Sequence, residues 1–301
     1  MPLDGFDRLY HDADGRREPV RVAAAGGQDP TVLEALRIAG DRGWVRPILV
    51  GPEPGIRAIA AAKGISLAGF TIRHADGKSI ATAAIDEVRA SRAQVLMKGQ
   101  IATPALMEAV LDPTTGLRTG RVVCQVVLME IPRDDRRFLM ADTGICVAPN
   151  LKSRIDILRA AVEVARALGL SMPKVALMAA TETVKDAMPE TVEAAELVLR
   201  NQQGEFADCS IAGPLSFDLA YAVEAGARKR IEGSVVGAAD VMIFPNLLSA
   251  NLTVKAIMYT ADCRFGGVLK GTSAPVVFMS RADDVATRLN SLAMTLRILE
   301  H

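Results

Sequence analysis

Short apolar runs alternate with helical stretches along nearly the whole chain, and each run stops at glycine, proline or a polar residue. Val20-Arg-Val-Ala-Ala-Ala25 ends in Gly26-Gly27, and Asp29-Pro30 then opens a stretch with Val32, Leu33, Leu36 and Ala39 at helical spacing. Asp29 suits an N-cap and Pro30 the first helical position. Residues 46–50 form the next apolar run, broken by Gly51-Pro52, and residues 56–63 read as a helix stopped by Gly64. The pattern repeats with strands at residues 70–72 and 94–97 and a helix at residues 79–90. Alternation at this pace predicts right-handed crossovers and a mostly parallel sheet.

The second half continues it. Residues 103–111 read as a helix, and residues 121–128 and 138–142 as strands flanking the charged turn of residues 132–137. A long helix is predicted from Asn150 to Leu168, with Ile155, Leu158, Ala161, Val162 and Ala165 on one face. Strands at residues 174–179, 210–215, 241–244 and 276–279 alternate with helices, the last helix covering residues 284–299. Residues 1–18 read as an irregular arm or a short helix. The pattern is weakest at residues 141–150, where Gly144, Pro149 and Asn150 interrupt it. The expected organisation is two α/β lobes meeting at a cleft: residues 1–141 with about 275–301 in the first, and residues 142–274 in the second.

At 301 residues, half of them hydrophobic, the chain can bury a sizeable core. Ala, Val, Leu and Ile supply most of the apolar volume, which favours a helix-covered parallel sheet over antiparallel sandwiches. Lys and Arg number 35, as do Asp and Glu. This zero net charge gives no reason to expect nucleic acid or an anionic membrane as partner. Cys124, Cys146, Cys209 and Cys263 form no C-x-x-C pair, and two of the three histidines, His11 and His301, lie near a terminus. A structural zinc is therefore not expected. No apolar run reaches the length of a membrane span, and the charged N-terminus is unlike a signal peptide. A reduced, cytoplasmic protein is the expectation.

The chemistry-bearing residues gather at the corners after the strands, where open α/β sheets bind ligands. Ser280-Arg281-Ala-Asp283 offers a hydroxyl, a guanidinium fork and a carboxylate for phosphoryl binding and proton uptake. The bland alternative makes Ser280 a cap for the last helix, with Asp283 completing a capping box. Asn246 lies in the turn after the strand at residues 241–244. Asn251 and Lys255, four apart, share a helix face and pair an amide with an ammonium; here the alternative is a capped helix with a solvated lysine. Lys98-Gly99 before Thr103 places a cation beside backbone N–H groups, at a spacing that is not a P-loop. Asp142, Glu182 and Asp218 each follow a strand, Asp218 two residues after Ser216. A serine-hydrolase triad finds no G-x-S-x-G elbow, and a dinucleotide fold finds no G-x-G-x-x-G spacing.

Taken in order, these segments resemble the phosphate acetyltransferase and phosphate butyryltransferase family, closer to its short butyryl-type branch. The resemblance rests on Leu96-Met-Lys-Gly99 with Thr103, Met140-Ala-Asp142, and Ala176-Leu-Met-Ala-Ala-Thr-Glu182 with Met188-Pro189. It continues through Gly213-Pro-Leu-Ser-Phe-Asp218, Ala239-Asp-Val-Met-Ile-Phe-Pro-Asn-Leu247, Asn251-Leu-Thr-Val-Lys255 and Pro275-Val-Val-Phe-Met-Ser-Arg-Ala-Asp283. These segments span roughly residues 20–300. The resemblance implies reversible acyl transfer between coenzyme A and inorganic phosphate, with no metal and no bound cofactor. It also implies two α/β domains with the site in the cleft, a fold similar to isocitrate and isopropylmalate dehydrogenases, and a homodimer.

The family's catalytic Ser-Arg pair falls on Ser280 and Arg281, and its Asn and Lys on Asn251 and Lys255. Where the acetyl-type branch has a carboxylate six residues after the arginine, this chain has Thr287, so the base is assigned to Asp283, with Asp218 second. That branch also carries an arginine on the helix after Lys98-Gly99. Glu108 stands in that neighbourhood here, and Lys98 is the candidate to supply the charge. The family's usual glycine before the asparagine is Ala250. The expected mechanism is direct transfer in a ternary complex. An acyl-cysteine route through Cys263 or Cys124, a decarboxylating NAD(P)-dependent dehydrogenase of the same fold, and a non-catalytic coenzyme A-binding protein are the competing readings.

Overall fold

The structure, a computed structural model, describes residues 2–280 and 282–300. By contact the chain divides into two compact units. A flanking unit comprises residues 6–121 and those from Gly266 onward, and a central unit comprises Val122–Phe265 with the first few residues.

The flanking unit opens with α1 (Phe6–Asp14), then runs β1 (Val20–Ala25), α2 (Pro30–Asp41), β2 (Val45–Gly51), α3 (Glu53–Lys63), β3 (Thr71–His74), α4 (Ser79–Arg89), β4 (Val95–Lys98) and α5 (Thr103–Val110). The central unit holds β5 (Cys124–Ile131), β6 (Arg136–Ala141), α6 (Leu151–Ala167), β7 (Lys174–Met178), α7 (Pro189–Gln202), β8 (Ser210–Leu215), α8 (Phe217–Tyr221), α9 (Val223–Lys229), β9 (Val241–Ile243) and α10 (Leu247–Thr260). β10 (Arg264–Lys270), β11 (Val276–Val277) and α11 (Val285–Ile298) follow.

The arrangement is mixed α/β with a mostly parallel sheet. In the flanking unit the strand order is β3-β2-β1-β4-β11-β10. All these pairings are parallel except that of β10 with β11. In the central unit the order is β5-β6-β9-β7-β8, with only the β5–β6 hairpin antiparallel. The strands are apolar almost throughout because helices cover both faces of a parallel sheet. Ala23, Ala24 and Ala25 in β1 and Leu96 and Met97 in β4 are buried, as are Leu33, Leu36 and Ile56 on the covering helices. The central core gathers Val127, Phe138, Met140, Ala176, Leu219 and Met242 with Val254 of α10.

Capping sets the helix starts. Asp29 accepts the Val32 N–H at 3.0 Å, as the sequence leads one to expect, and Asn150 accepts the Ser153 N–H at 2.9 Å. At α11 the cap is Asp284, which accepts the Thr287 N–H at 2.8 Å. Ser280 therefore does not cap that helix, and the capping-box reading of Ser280 and Asp283 is set aside. Two further points concern elements. Of the two readings of residues 1–18, the short helix holds for Phe6–Asp14, because Phe6, Leu9 and Ala13 make one buried face of α1. The loop expected before β11 contains the strand β10, which the sequence reading missed.

α11 is buried along most of its length and packs against α1, α2 and β11. The Tyr10 hydroxyl donates to Asn290 Oδ1 at 2.9 Å, and the Ser291 hydroxyl takes the Gly267 N–H at 3.0 Å. Among the described residues, no helix is long and apolar enough to cross a membrane.

Candidate functional site

β1, β4 and β11 are neighbours, with Ala25 level with Lys98 and Met97 level with Val277. Their carboxyl ends therefore emerge side by side, followed by residues 26–29, 99–103 and 280–284. The first two loops lie backbone against backbone. Gly99 N–H donates to the Ala25 carbonyl at 2.8 Å and Gln100 N–H to the Gly26 carbonyl at 2.7 Å. A Cβ on Gly99 would overlap the Gly26 carbonyl oxygen, and a Cβ on Gly26 would fall 2.7 Å from the carbonyl carbon of Gln100. Gly26 also has φ of +83°, in the left-handed region that glycine adopts without strain. Lys98 is buried at the end of β4, and Thr103 is exposed at the first position of α5.

The third loop folds on itself. The Ser280 N–H donates to Asp283 Oδ2 at 2.7 Å, and the Asp283 N–H reaches back to the Ser280 carbonyl at 3.3 Å. The Ala282 N–H donates to the Ser280 hydroxyl at 3.3 Å. Ser280 is exposed and Asp283 half-buried. Arg281 lies outside the described residues. The structure thus brings Lys98, Gly99, Thr103, Ser280 and Asp283 to adjacent strand ends of one unit.

A second group lies at the strand ends of the central unit, where Ala141 of β6 is level with Ile243 of β9, and Ile243 with Leu177 of β7. Asp142 is buried and caged by its own loop. Its Oδ1 accepts from the N–H groups of Gln125 at 2.9 Å, Gly144 at 2.9 Å and Ile145 at 3.2 Å, and its Oδ2 from that of Cys146 at 2.7 Å. Burial pushes this carboxyl up, and the four N–H groups pull the other way. The carboxylate builds the turn. Asn246 caps α10 by accepting the Ser249 N–H at 2.9 Å. Asn251 donates from Nδ2 to the Thr143 carbonyl at 3.1 Å, which ties α10 to the Asp142 turn. Lys255 is exposed one helical turn further on. Ala250 sits inside α10, so the absence of the family's glycine costs no backbone strain.

Glu182 and Asp218 are drawn to one cation. Lys229 Nζ lies 3.0 Å from Asp218 Oδ2 and 4.0 Å from Glu182 Oε2, and it donates to the Ser216 hydroxyl at 3.2 Å. The Ser216 hydroxyl donates to Asp218 Oδ1 at 2.5 Å. Ser216 and then Lys229 hold the Asp218 carboxyl below the usual carboxylate range, which weakens it as a proton acceptor. Burial and then Asp262 raise the Cys263 thiol, against a thiolate nucleophile there.

Two buried arginines were missed by the sequence reading. Arg154 of α6 donates to the Pro245 carbonyl at 3.1 Å and lies 2.9 Å from Glu193, holding the corner before Asn246. Arg288 of α11 reaches the Ser280 carbonyl at 3.5 Å. The available signal was a charge at a position that shares the apolar face of its helix.

The family pattern described as "Phosphate acetyl/butaryl transferase" matches residues 78–296. The chain belongs to that family. It is 38% identical to the phosphate butyryltransferase of Clostridium acetobutylicum over 279 residues, 92% of this chain and 93% of that protein. It is 35% identical to the phosphate acetyltransferase of Thermotoga maritima over 290 residues, 96% of this chain and 98% of that protein. The crystal structure of a branched-chain phosphotransacylase from Enterococcus faecalis superimposes with a TM-score of 0.82 at 29% identity, covering 94% of this chain and 99% of that one. The chain is therefore a phosphate acyltransferase, and the dehydrogenase and non-catalytic readings are not favoured.

The glycine contact gives a direct test of the corner. Gly99→Ala forces the two loops apart, and overpacking of this kind costs about 1–3 kcal/mol. Its denaturation midpoint is expected to fall accordingly, whereas Gly15→Ala, whose Cβ would meet nothing nearer than 3.6 Å, stays within about 0.5 kcal/mol. Chemical denaturation of the two variants measures the difference.

Proposed function

We propose that the chain moves a short acyl group between coenzyme A and inorganic phosphate, acyl-CoA plus phosphate giving acyl phosphate plus CoA, by direct transfer in a ternary complex. The observation that carries this is the Ser280–Asp283 turn standing at the strand end next to the Lys98-Gly99 corner. It puts a hydroxyl, a carboxylate and a run of backbone N–H groups at adjacent positions of a parallel sheet, the place where such folds bind anionic ligands.

In the direction of acyl-CoA synthesis, the CoA sulfur attacks the acyl phosphate carbonyl. A free thiol has a pKa of about 8.5 and needs a base near neutral pH. Asp283 takes that proton; Asp218, held low by Ser216 and Lys229, is the poorer candidate. The C–S bond forms, the carbonyl oxygen becomes an oxyanion, and the C–O bond to phosphate breaks as phosphate leaves. Ser280 donates to the oxyanion or to the departing phosphate, and Arg281 with Lys98 holds the phosphate and offsets its charge. In the other direction a phosphate oxygen attacks the thioester carbonyl, the C–S bond breaks, and Asp283 returns the proton to CoA sulfur. No protein nucleophile and no permanently bound cofactor enters; coenzyme A is a substrate. Thr103 completes the phosphate corner. In the central unit, Asn251 and Lys255 offer an amide and an ammonium on one helix face suited to an anion, Asn246 supports them by starting their helix, and Asp142 and Asp218 act through the turns they build, with Glu182 beside Lys229.

The reading extends to a homodimer. Leu248, Leu252 and Tyr259 on α10 are 70%, 60% and 78% exposed and lie on one face of the helix. A stripe of that kind is ordinarily covered by a partner, and self-association covers it without a second protein. None of the four cysteines is in a disulfide among the described residues, which is compatible with the proposed cytoplasmic location.

Phosphate-dependent release of CoA from acetyl-, propionyl- and butyryl-CoA, followed with a thiol reagent, tests the activity. Release is expected with at least one of the three, and no release with any of them rejects the assignment. Arg281→Ala is expected to lower turnover by about 100-fold or more, since charge stabilisation of this kind carries several kcal/mol, and Ser280→Ala by about 10- to 100-fold. Near-normal turnover in folded Arg281→Ala would remove the phosphate corner from the reaction. Light scattering on the same preparation is expected to return twice the chain mass, and a monomer at micromolar concentration contradicts the dimer.

A further inference from the structure

Arg288 lies one turn into α11, on the buried face of that helix, and 1% of it is exposed. A guanidinium stays charged at any ordinary pH, so its desolvation has to be offset by the groups around it. Burial pulls the Arg288 pKa down, and the charges of Asp29, Asp283 and Asp284 oppose that.

Its hydrogen bonds join two loops. Nε donates to the Thr31 hydroxyl at 2.9 Å, and that hydroxyl donates to Asp29 Oδ1 at 2.6 Å. Asp29 Oδ1 in turn caps α2 at the Val32 N–H. At its other end Nη2 reaches the Ser280 carbonyl at 3.5 Å. One side chain therefore connects the loop after β11 to the start of the helix after β1. Nη1 has no hydrogen-bond partner among the described residues.

That unmet donor bears on what the residue is for. A buried arginine with an unpaired nitrogen is a poor stabiliser, and apolar residues of similar volume usually serve a core better. A leucine would fit the pattern of α11. The fork does what an apolar side chain cannot: it fixes the carbonyl of Ser280 relative to Thr31, and with it the turn that carries Ser280 and Asp283.

We propose that Arg288 is a positioning residue for acyl transfer, tying the Ser280–Asp283 turn to the Asp29–Thr31 helix start. The proposal rests on the assignment of the reaction to that turn. It touches no reacting atom. Loosening the tie lets Ser280 and Asp283 drift, and a misplacement of about 1 Å costs about 100-fold in rate.

The test is phosphate-dependent CoA release by wild type, Arg288→Gln, Arg288→Lys and Thr31→Val, with kcat referred to folded protein measured by circular dichroism. For Arg288→Gln, kcat is expected to fall about 30- to 100-fold while KM for acyl-CoA stays within about threefold. Arg288→Lys keeps the charge and one donor, and is expected to recover at least about fivefold of that loss. Thr31→Val removes the acceptor of Arg288 Nε and so breaks the tie while the guanidinium stays in place, and its kcat, referred to folded protein, is expected to fall about 3- to 10-fold at unchanged KM. Should Arg288→Gln fail to fold, Thr31→Val decides the matter alone. An inactive wild type overturns the functional reading and this assignment with it. An active wild type with kcat in Thr31→Val and folded Arg288→Gln within about twofold of it overturns the role of Arg288 alone.

Discussion

Two loops at the ends of β1 and β4 touch through their backbones, and the geometry of the candidate site depends on that contact. Gly99 and Gly26 leave no room for a side chain between them. Two N–H groups, of Gly99 and Gln100, are used in the contact. The pairing of β4 with β11 then sets where the Ser280 turn begins, because Met97 and Val277 are level. Parallel strands of small apolar residues bring the corners together, the glycines let them close, and Arg288 joins the third corner to the start of α2. Each link is short-range, so a displacement at one is carried to the next without slack.

Three carboxylates that look alike in the sequence have different surroundings and so different uses. Asp142 is buried and accepts four backbone N–H groups, which makes it the organiser of a turn. Asp218 is held low by Ser216 and Lys229, and shares Lys229 with Glu182, which follows β7. Asp283 is half-buried, accepts the Ser280 N–H, and shares the neighbourhood of Arg288. Of the three, Asp283 is the one at the corner proposed to bind phosphate, and the chain's membership of the phosphate acyltransferase family supports that proposal.

Much of the architecture was legible because apolar runs and helical spacing repeat so regularly. β1, β2, β4, β6, β7, β8, β9 and β11 were found to within a residue or two, Asp29 was placed as a cap, and the long helix was started at Asn150. What failed had weak local signals. β10 reads Arg264-Phe-Gly-Gly-Val-Leu-Lys270, where two glycines and the charged ends mask the strand. For α1 the sequence left an arm and a short helix open, because Phe6, Leu9 and Ala13 stand among charges and make a sparse apolar face. At the site, residue types at strand ends were legible, but their partners were not. Nothing local says that Asp142 will be ringed by N–H groups, that Lys229 will collect Asp218 and Glu182, or that Arg288 and Arg154 will reach across to the carbonyls of Ser280 and Pro245. The Arg154–Pro245 and Lys229–Glu182 contacts join segments far apart in the chain, the others depend on how a turn folds, and periodicity encodes neither.

A crystal structure grown with inorganic phosphate at saturating concentration tests the central claim most directly. The account predicts a phosphate within hydrogen-bond distance of the Ser280 hydroxyl and the Arg281 side chain, beside the loop that follows Lys98. A phosphate bound elsewhere, with none of these residues touching it, would contradict it.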